Sequence, residues 1–171
     1  MTEASAAQQP ATPPADSTAV TRALSALGIA HRLFRHAGPV HSLEQAAAER
    51  GQRPEQVVRS IVFRVAKGNY MMVLVAGAPQ VSWPRLRKQL GQSRLSMANE
   101  AELLAATGYV VGAVSPFGLP RPMPVLIDES VLGVEELSIG SGERGATVIM
   151  RSADLVRALD GTVGQFTGTD A

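Results

Sequence analysis

The sequence predicts one α/β (α+β) domain, in which a mixed, largely antiparallel and partly barrel-like sheet is surrounded by helices. The chain has 171 residues, which is enough for a single domain with a buried core. Segments with helical spacing of apolar residues alternate with short β-branched segments. Several of the β-branched segments follow one another through tight turns, which favours antiparallel over purely parallel pairing.

The folded part is predicted to span residues 17–165. Residues 1–16 are rich in Ala, Gln, Pro and Thr and show no apolar periodicity. Such a segment buries too little surface to offset its loss of conformational entropy, so we expect a disordered tail. Residues 166–171 are predicted to form a frayed C-terminus.

Helical and extended segments alternate at the start of the domain. Apolar residues three and four apart predict a first helix, which Ser17 or Thr18 caps and Gly28 ends. Residues 31–36 are predicted to be extended. A capping-box pattern then predicts a second helix within residues 42–51.

A β-hairpin is predicted next. Residues 57–65 are β-branched and alternating, and a Lys-Gly-Asn turn joins them to the apolar run at residues 70–77. The following segments are predicted to be an amphipathic helix at residues 82–91, a short strand at 94–98 and a helix at 99–106.

The rest of the domain is predicted to consist mainly of strands. They span residues 108–114, 124–128, 136–140 and 146–150. A tight turn at residues 141–145 is expected to connect the last two, and Ser152 is expected to cap a final helix.

Composition narrows the classes of function. The formal net charge of +1 is too small for the protein as a whole to attract nucleic acid, although a local basic surface remains open as an alternative. The absence of cysteine excludes disulfides and a thiolate nucleophile. Three histidines without close carboxylate spacing predict no metal site, and we expect no cofactor. No apolar run is long enough for a membrane span, so a cytoplasmic location without membrane contact is expected.

Most single candidates for chemistry have an ordinary structural explanation. His36 and His41 lack a third ligand partner, so exposed or capping roles are favoured. Asp128 and Glu129 fit a catalytic acid and a helix cap equally well. Arg59 lies among apolar residues of a predicted strand, so its charge needs a partner or a polar cavity. An edge-strand arginine that reaches water is equally consistent with the pattern.

Two further patterns also favour a structural explanation. A basic stripe is formed by Arg85, Arg87, Lys88 and Arg94, and a solvated helix face explains it best. The segment GSGERG at residues 140–145 has glycines that suit phosphate binding, but it lacks the lysine and helix of a P-loop. A hairpin turn is therefore favoured.

The connection at residues 110–130 is rich in proline and nearly free of charge. Together with the neighbouring segments, it indicates a protein family more specifically than any single residue does. The segments EQVVRSIVFRV, TGYVVGAVSPFG, VLIDES and LSIGSGERG, at these separations, resemble the YbaK family. This family includes the editing domain inserted in prolyl-tRNA synthetase and its free-standing relatives. The resemblance covers roughly residues 18–159, and Gly112 to Pro116 resembles the family's G-x-x-x-P loop.

The resemblance implies trans-acting hydrolysis of the ester that joins a small, wrong amino acid to the 3′ end of tRNA. In the family's mechanism the loop backbone and a lysine position the aminoacyl end, and the terminal ribose hydroxyl of the tRNA assists attack. No protein nucleophile, metal or cofactor is needed. The implied partners are the aminoacylated acceptor end of tRNA and an aminoacyl-tRNA synthetase, and not DNA.

The resemblance also implies a set of site residues. Arg59 and Gly112 take the catalytic positions, because Arg59 stands where the family has its lysine. The implied substrate-binding residues are Phe34, His36, Ser115, Pro116, Gly140, Ser141 and Gly142. Arginine keeps the charge of lysine but aims its donors differently, so two functions remain open. One is a deacylase, and the other is a non-catalytic member that binds tRNA ends or a small amino-acid-like ligand. A structural or partner-binding domain with a filled pocket is the third alternative.

Overall fold

The computed structural model describes residues 16–168. The predicted disordered tail, except residue 16, and the last three residues of the predicted frayed C-terminus therefore lie outside the described residues. Within this range the helices are α1 (Ala19–Ala26), α2 (Leu43–Glu49), α3 (Trp83–Leu90), α4 (Glu100–Thr107) and α5 (Ser152–Leu159). The strands are β1 (His31–Arg35), β2 (Val58–Ala66), β3 (Asn69–Ala76), β4 (Ser96–Met97), β5 (Val125–Asp128), β6 (Glu136–Gly140), β7 (Ala146–Arg151) and β8 (Thr162–Gly164). Short 3-10 turns occur at Pro54–Gln56 and Glu129–Gly133. None of the described helices combines the length and the apolarity that crossing a membrane requires.

The strands form two sheets, and the predicted mixed α/β class is confirmed. One sheet has the order β1-β7-β6 and is antiparallel throughout. The other has the order β4-β2-β3-β5-β8, with antiparallel pairing up to β3 and parallel pairing beyond it. A single parallel bridge between Val57 and Ser138 connects the start of β2 with β6, so the two sheets meet there without closing into a barrel.

Local capping chemistry explains several helix boundaries. Thr18 caps α1, and its hydroxyl accepts a hydrogen bond from the backbone N–H of Thr21 at 3.2 Å. Ser42, Ser82 and Asn99 cap α2, α3 and α4 in the same way. The predicted cap at Ser152 is wrong, because Arg151 occupies the cap position. The Ser152 hydroxyl instead donates to backbone carbonyls at the start of β6.

Two buried clusters hold the layers together. The larger cluster lies between the sheets and includes Val58 and Val62 of β2, Leu137 of β6 and Leu24 of α1. The smaller cluster covers the other face of the five-stranded sheet, where Phe63 of β2 belongs. Because side chains alternate along a strand, β2 contributes to both clusters, and one of its faces is directed towards the space between the sheets.

The predicted strand at residues 108–114 is wrong, since the chain forms an irregular loop there. Tyr109 is buried, and its hydroxyl donates to the Phe117 carbonyl at 2.7 Å. The N–H of Ala113 closes a tight turn onto the carbonyl of Val110 at 3.1 Å. Apolar and β-branched content predicted a strand, but the described fold offers this segment no neighbouring strand to pair with.

The folded part extends beyond the predicted boundary at Gln165. β8 pairs in parallel with β5, and Phe166 is 2% exposed in the smaller cluster. The buried carboxylate of Asp128 accepts hydrogen bonds from the N–H of Ser130 at 3.1 Å and that of Phe166 at 2.8 Å. Asp128 therefore caps the turn at Glu129–Gly133, as the structural alternative predicted, and also binds the backbone of the C-terminal segment.

Truncating Phe166 tests whether the C-terminal segment contributes to the buried core. Phe166→Ala should lower the free energy of unfolding by about 3–5 kcal/mol, because it removes a large side chain from a packed cluster. Val163→Ala is the matched control, since Val163 lies three residues earlier and is 41% exposed. Denaturant unfolding monitored by circular dichroism measures both changes. Equal and small losses for the two variants would show that the last described residues contribute little to the core.

Candidate functional site

A cavity of about 840 Å³ opens where the two sheets meet. Its walls come from the segment between β1 and α2, the first half of β2, the loop around Gly112 and the β6–β7 hairpin. The β2 side chains Val58 and Val62 belong to the larger cluster, as does Ile139 of β6. The floor is therefore largely apolar, whereas polar groups approach from the rim.

The charged residues of the cavity wall are all basic. Arg50, Arg59 and Arg144 line it together with His36, and no Asp or Glu is among the described lining residues. None of the three arginines forms an ion pair within the described part of the chain. A cavity with cations and no carboxylate raises the local concentration of anions, so it suits a ligand that carries negative charge.

Arg50, at the end of α2, is held by three side chains. Its Nε donates to Gln52 Oε1 at 3.1 Å, and its Nη2 donates to Ser138 Oγ at 2.9 Å. Its Nη1 lies 3.0 Å from His36 Nε2. Burial lowers the pKa of Arg50, and the charge of Glu49 partly opposes that shift. The guanidinium is thus oriented by neutral partners.

The hydrogen bonds of His36 determine its tautomer. Arginine can only donate, so His36 Nε2 accepts from Arg50 and carries no proton. His36 Nδ1 contacts the Glu49 carboxylate and therefore carries the proton and donates. This hydrogen bond is the main cause that lowers the pKa of Glu49. Both ring nitrogens of His36 are engaged, and the ring also makes an edge contact with Phe34 at 5.1 Å between centroids.

Arg59 is among the lining residues of the cavity, but its side chain lies on the other face of β2. Strand alternation places it on the side of Ile61 and Phe63, opposite to Ser60, and its guanidinium is bound there. Its Nε donates to the carbonyl of Gly77 at 2.9 Å, and its Nη2 donates to the carbonyl of Pro79. Both carbonyls belong to the loop between β3 and α3. Burial lowers the pKa of Arg59, as expected for a cation held by neutral carbonyls. The partner that its charge was predicted to need is this loop.

The loop at residues 112–116 reaches the cavity through its glycine end. Gly112 has φ of 87°, and a Cβ added there would meet no atom within 4 Å. Its backbone therefore faces open space, which no other residue type would leave equally free. The opposite side of the loop packs against Gly140, where an added Cβ would lie 2.1 Å from the Val114 carbonyl oxygen. The N–H of Gly142 donates to the Ala113 carbonyl at 2.9 Å.

The structure brings together four of the residues that the resemblance implied. Arg59, Gly112, His36 and Gly140 line the same cavity. Five others are not among its described lining residues, and their roles as substrate-binding residues stay a prediction: Phe34, Ser115, Pro116, Ser141 and Gly142.

Two of these five residues shape the backbone beside the cavity. Ser115 is fully buried, and its hydroxyl accepts from the N–H of Phe117 at 3.2 Å. The Ser141 hydroxyl donates to the carbonyls of Glu143 and Ala146, each at 2.9 Å, and so shapes the β6–β7 turn. Backbone turns thus engage the hydroxyls of both serines.

Sequence reasoning missed Arg50, Ser60, Ser138 and Arg144. Arg50 and Ser138 meet across 88 positions of sequence, so no local pattern indicates that pair. Arg144 is exposed and donates from Nε to the Val111 carbonyl at 3.0 Å. Ser60 had a usable signal, because strand alternation places it on the same face as Val58 and Val62.

Ser60 carries the one buried side-chain polar atom without a hydrogen-bond partner in the part of the chain that the structure describes. Removing that hydroxyl loses no bond, so Ser60→Ala should change the free energy of unfolding by less than about 0.5 kcal/mol. Ser138→Ala is the control, because Ser138 also lines the cavity but binds Arg50. It should cost about 1–3 kcal/mol. Thermal unfolding compares them, and a large loss for Ser60→Ala would reveal a bond that the structure does not show.

In the described residues no group of three or more His, Cys, Asp or Glu side chains is placed to hold a metal ion. The cavity thus offers hydrogen-bond donors, an open glycine backbone and cations.

Comparison with known proteins gives consistent matches. The sequence profile of the aminoacyl-tRNA editing domain matches residues 37–158. The prolyl-tRNA editing protein ProX of Acetoanaerobium sticklandii is 27% identical over 153 residues, which cover 86% of this chain and 93% of that protein. A solved structure described as a candidate trans-editing enzyme for prolyl tRNA synthetase has a TM-score of 0.82 and 24% identity, with 88% of this chain and 96% of that one covered. This last similarity concerns the fold alone.

Part of a much longer protein is also similar. The proline–tRNA ligase of Pelobacter propionicus is 28% identical over 103 residues, which are 60% of this chain. The chain spans 18% of the length of that ligase.

Proposed function

This chain belongs to the aminoacyl-tRNA editing domain family, and on that premise we propose that it hydrolyses, in trans, the ester between a small, wrong amino acid and the 3′ end of tRNA. The observation that carries this proposal is the cavity, whose described lining residues include arginines and no carboxylate and into which the open backbone of Gly112 projects. An aminoacylated tRNA end presents an ester beside a phosphodiester. The basic rim suits the phosphodiester, and the glycine backbone suits the ester.

The size of the cavity fits such a two-part ligand. A volume of about 840 Å³ is more than a small amino acid needs, so it leaves space for the terminal nucleoside as well. The floor at Val58, Val62 and Ile139 is apolar and suits a short aliphatic side chain. Binding energy alone separates amino acids that differ by one methyl group poorly, which is the physical reason for a separate hydrolytic site.

The chemistry we propose uses positioning rather than a protein nucleophile. His36 has both ring nitrogens engaged, and the Ser138 hydroxyl accepts from Arg50. Neither therefore forms an activated hydroxyl–imidazole pair. As the family resemblance implies, the terminal ribose hydroxyl assists a water molecule that adds to the ester carbonyl. The bond to the ribose oxygen then breaks, that oxygen takes a proton, and the amino acid leaves as its carboxylate.

Backbone dipoles of the loop supply the remaining stabilisation. Negative charge develops on the carbonyl oxygen as water adds, and preorganised N–H groups stabilise such an oxyanion strongly in a site that excludes water. The loop is rigid because Gly142 bonds to Ala113 and Val114 packs on Gly140. Fixed geometry spares the cost of reorganisation at the moment of reaction.

A deacylation screen tests the proposal. A panel of mischarged tRNAs carrying small amino acids is incubated with the protein, and loss of the labelled ester is followed. We expect hydrolysis of at least one member and slow or no hydrolysis of the correctly charged tRNAs. Arg59→Lys, assayed in parallel, tests whether a lysine in the family's position increases the rate. Stability of every ester in the panel would contradict the proposed activity.

Salt dependence tests the proposed partner. If phosphates contribute to binding, raising the salt concentration from 50 to 200 mM should weaken the affinity for tRNA by about tenfold or more, because each contact releases counterions. The first candidate for additional contacts is the basic stripe of Arg85, Arg87, Lys88 and Arg94. Arg85 also donates to the Thr167 carbonyl at 2.6 Å. Fluorescence anisotropy measures the affinity. An affinity that does not change with salt would favour a small, uncharged ligand.

A non-catalytic role is the second candidate, and one observation favours it. The guanidinium in the position of the family lysine is bound to the carbonyls of Gly77 and Pro79. If this contact persists with substrate, Arg59 cannot orient the aminoacyl end. Tight binding of a non-hydrolysable aminoacyl-tRNA end together with a stable ester would identify this alternative.

A further inference from the structure

The three arginines of the cavity differ in what holds their guanidinium groups. Arg59 is bound to two carbonyls of the β3–α3 loop. Arg144 is exposed and, within residues 16–168, has a single hydrogen bond, to the Val111 carbonyl. Arg50 is half-buried and is oriented by Gln52, His36 and Ser138. Arg50 therefore combines a fixed orientation with a charge that no ion pair offsets.

The hydrogen bonds of Arg50 leave donors for a ligand. Nε, Nη1 and Nη2 each make one bond to the protein, so one N–H on each terminal nitrogen has no partner among the described residues. These remaining N–H groups can donate to phosphate oxygens, which are strong acceptors for a guanidinium. All three protein partners are neutral, so they orient the cation without satisfying its charge.

Glu49 keeps His36 in the tautomer that Arg50 needs. The carboxylate accepts from Nδ1, which leaves Nε2 as an acceptor for Arg50. Glu49 itself is not among the described residues that line the cavity. The Glu49 carboxylate thus acts indirectly, because it fixes His36, which in turn orients Arg50. It does not take the place of an incoming anion at Arg50.

We propose that Arg50, and not Arg59, is the phosphate anchor of the cavity and binds the phosphodiester of the terminal nucleotide of tRNA. This inference rests on the proposed function, because that function requires a nucleic-acid end in the cavity. His36 and Ser138 are positioning residues for the anchor. This phosphate contact is separate from the positioning of the aminoacyl end, which the resemblance assigned to the position of Arg59.

The test compares two small ligands that differ in one phosphate. Adenosine and the methyl ester of adenosine 5′-monophosphate are titrated into the full chain by calorimetry or NMR at constant low salt. The methyl ester carries one negative charge, like a phosphodiester. The parent protein should bind the phosphorylated ligand about tenfold or more tightly than adenosine, since hydrogen bonds between ions are strong. In Arg50→Gln this preference should fall to about twofold or less.

Two further variants complete the design. Arg53→Gln is the matched control, because it removes the same charge at an exposed neighbouring position outside the cavity lining. It should keep the parent's preference for phosphate. Arg50→Lys keeps the charge but cannot hold the three bonds, so its preference should fall at least about threefold below that of the parent. This variant decides the question if Arg50→Gln does not fold, which thermal unfolding shows.

Several results would overturn the proposal. They are an unchanged preference in Arg50→Gln or Arg50→Lys, an equal loss in Arg53→Gln, and a parent that binds neither ligand at millimolar concentration or shows no preference. The titration needs no hydrolysis, so it separates this inference from the proposed function. Deacylation at the parent rate with an unchanged phosphate preference in Arg50→Gln would contradict the role of Arg50 as anchor and would support the proposed activity. A preference that depends on Arg50 in a protein that hydrolyses no ester would keep the anchor and remove the activity.

Discussion

Gly112→Ala is expected to reduce the rate of deacylation by roughly 5- to 150-fold, because it places a methyl group in the space where the ester should lie. A steric clash of this kind costs about 1–3 kcal/mol. An added Cβ meets no protein atom within 4 Å, so the protein itself does not resist the new carbon. The φ of 87° does resist it, since residues with a Cβ rarely adopt that conformation. Strain alone should therefore cost about 1–2 kcal/mol of stability.

Gly68→Ala separates strain from loss of the ligand site. Gly68 has φ of 75°, and a Cβ added there also meets nothing within 4 Å. It lies in the turn between β2 and β3 and is not among the described cavity-lining residues. The two variants should lose similar melting temperature, whereas only Gly112→Ala should lose deacylation per folded molecule. Thermal unfolding and ester hydrolysis are measured on the same preparations.

One result would remove Gly112 from the site. If Gly112→Ala and Gly68→Ala lose the same stability and both hydrolyse every susceptible substrate at the parent rate, the loop glycine serves only its turn. The chemistry would then have to lie elsewhere in the cavity, and the resemblance to the family's loop would be structural.

Gly140→Ala is expected to have the second large effect, through the backbone. A Cβ at Gly140 would lie 2.1 Å from the Val114 oxygen and 2.9 Å from the carbonyl carbon of Ala113. Backbone atoms cannot move away as a flexible side chain can, so the loop must shift as a whole. We expect a loss of at least about 1–3 kcal/mol in the free energy of unfolding, and the loss of deacylation in the molecules that remain folded.

Gly133→Ala is the control for this substitution. Gly133 is exposed, an added Cβ meets nothing within 4 Å, and its φ is not in the left-handed region. It should leave stability within about 0.5 kcal/mol and should not change the rate. Denaturant titration and the deacylation assay report the two quantities. Parent-like stability and activity in Gly140→Ala would show that the close approach of the loop to β6 is not a requirement of the site.

Elements determined by local chemistry were predicted well from the sequence. The hairpin of β2 and β3 follows from alternating apolar residues around a short turn with a glycine, and the structure confirms its antiparallel pairing. The turn at residues 141–145 joins β6 to β7, as the structural alternative for GSGERG predicted. The caps at Thr18 and Ser42 depend on bonds that span three residues, which a sequence pattern can contain.

Elements that depend on distant partners were predicted less well. Residues 108–114 have strand-like composition, but a strand needs a neighbour, and the described sheets provide none there. The C-terminal segment looks frayed by composition, yet Phe166 is buried and Asp128 binds its backbone from 38 positions away. Composition describes what a segment can do alone, whereas burial depends on the surface that it meets.

The sequence by itself determined the fold class, most helix boundaries and the β2–β3 hairpin, because these depend on residue types within a few positions of one another. The tertiary structure decided which side chains share the cavity. It directed the guanidinium of Arg59 to the carbonyls of Gly77 and Pro79, and it assembled Arg50 with Ser138 across 88 positions. A side chain's partners are set by the packing of the sheets and helices around it, and residue spacing alone does not contain that information.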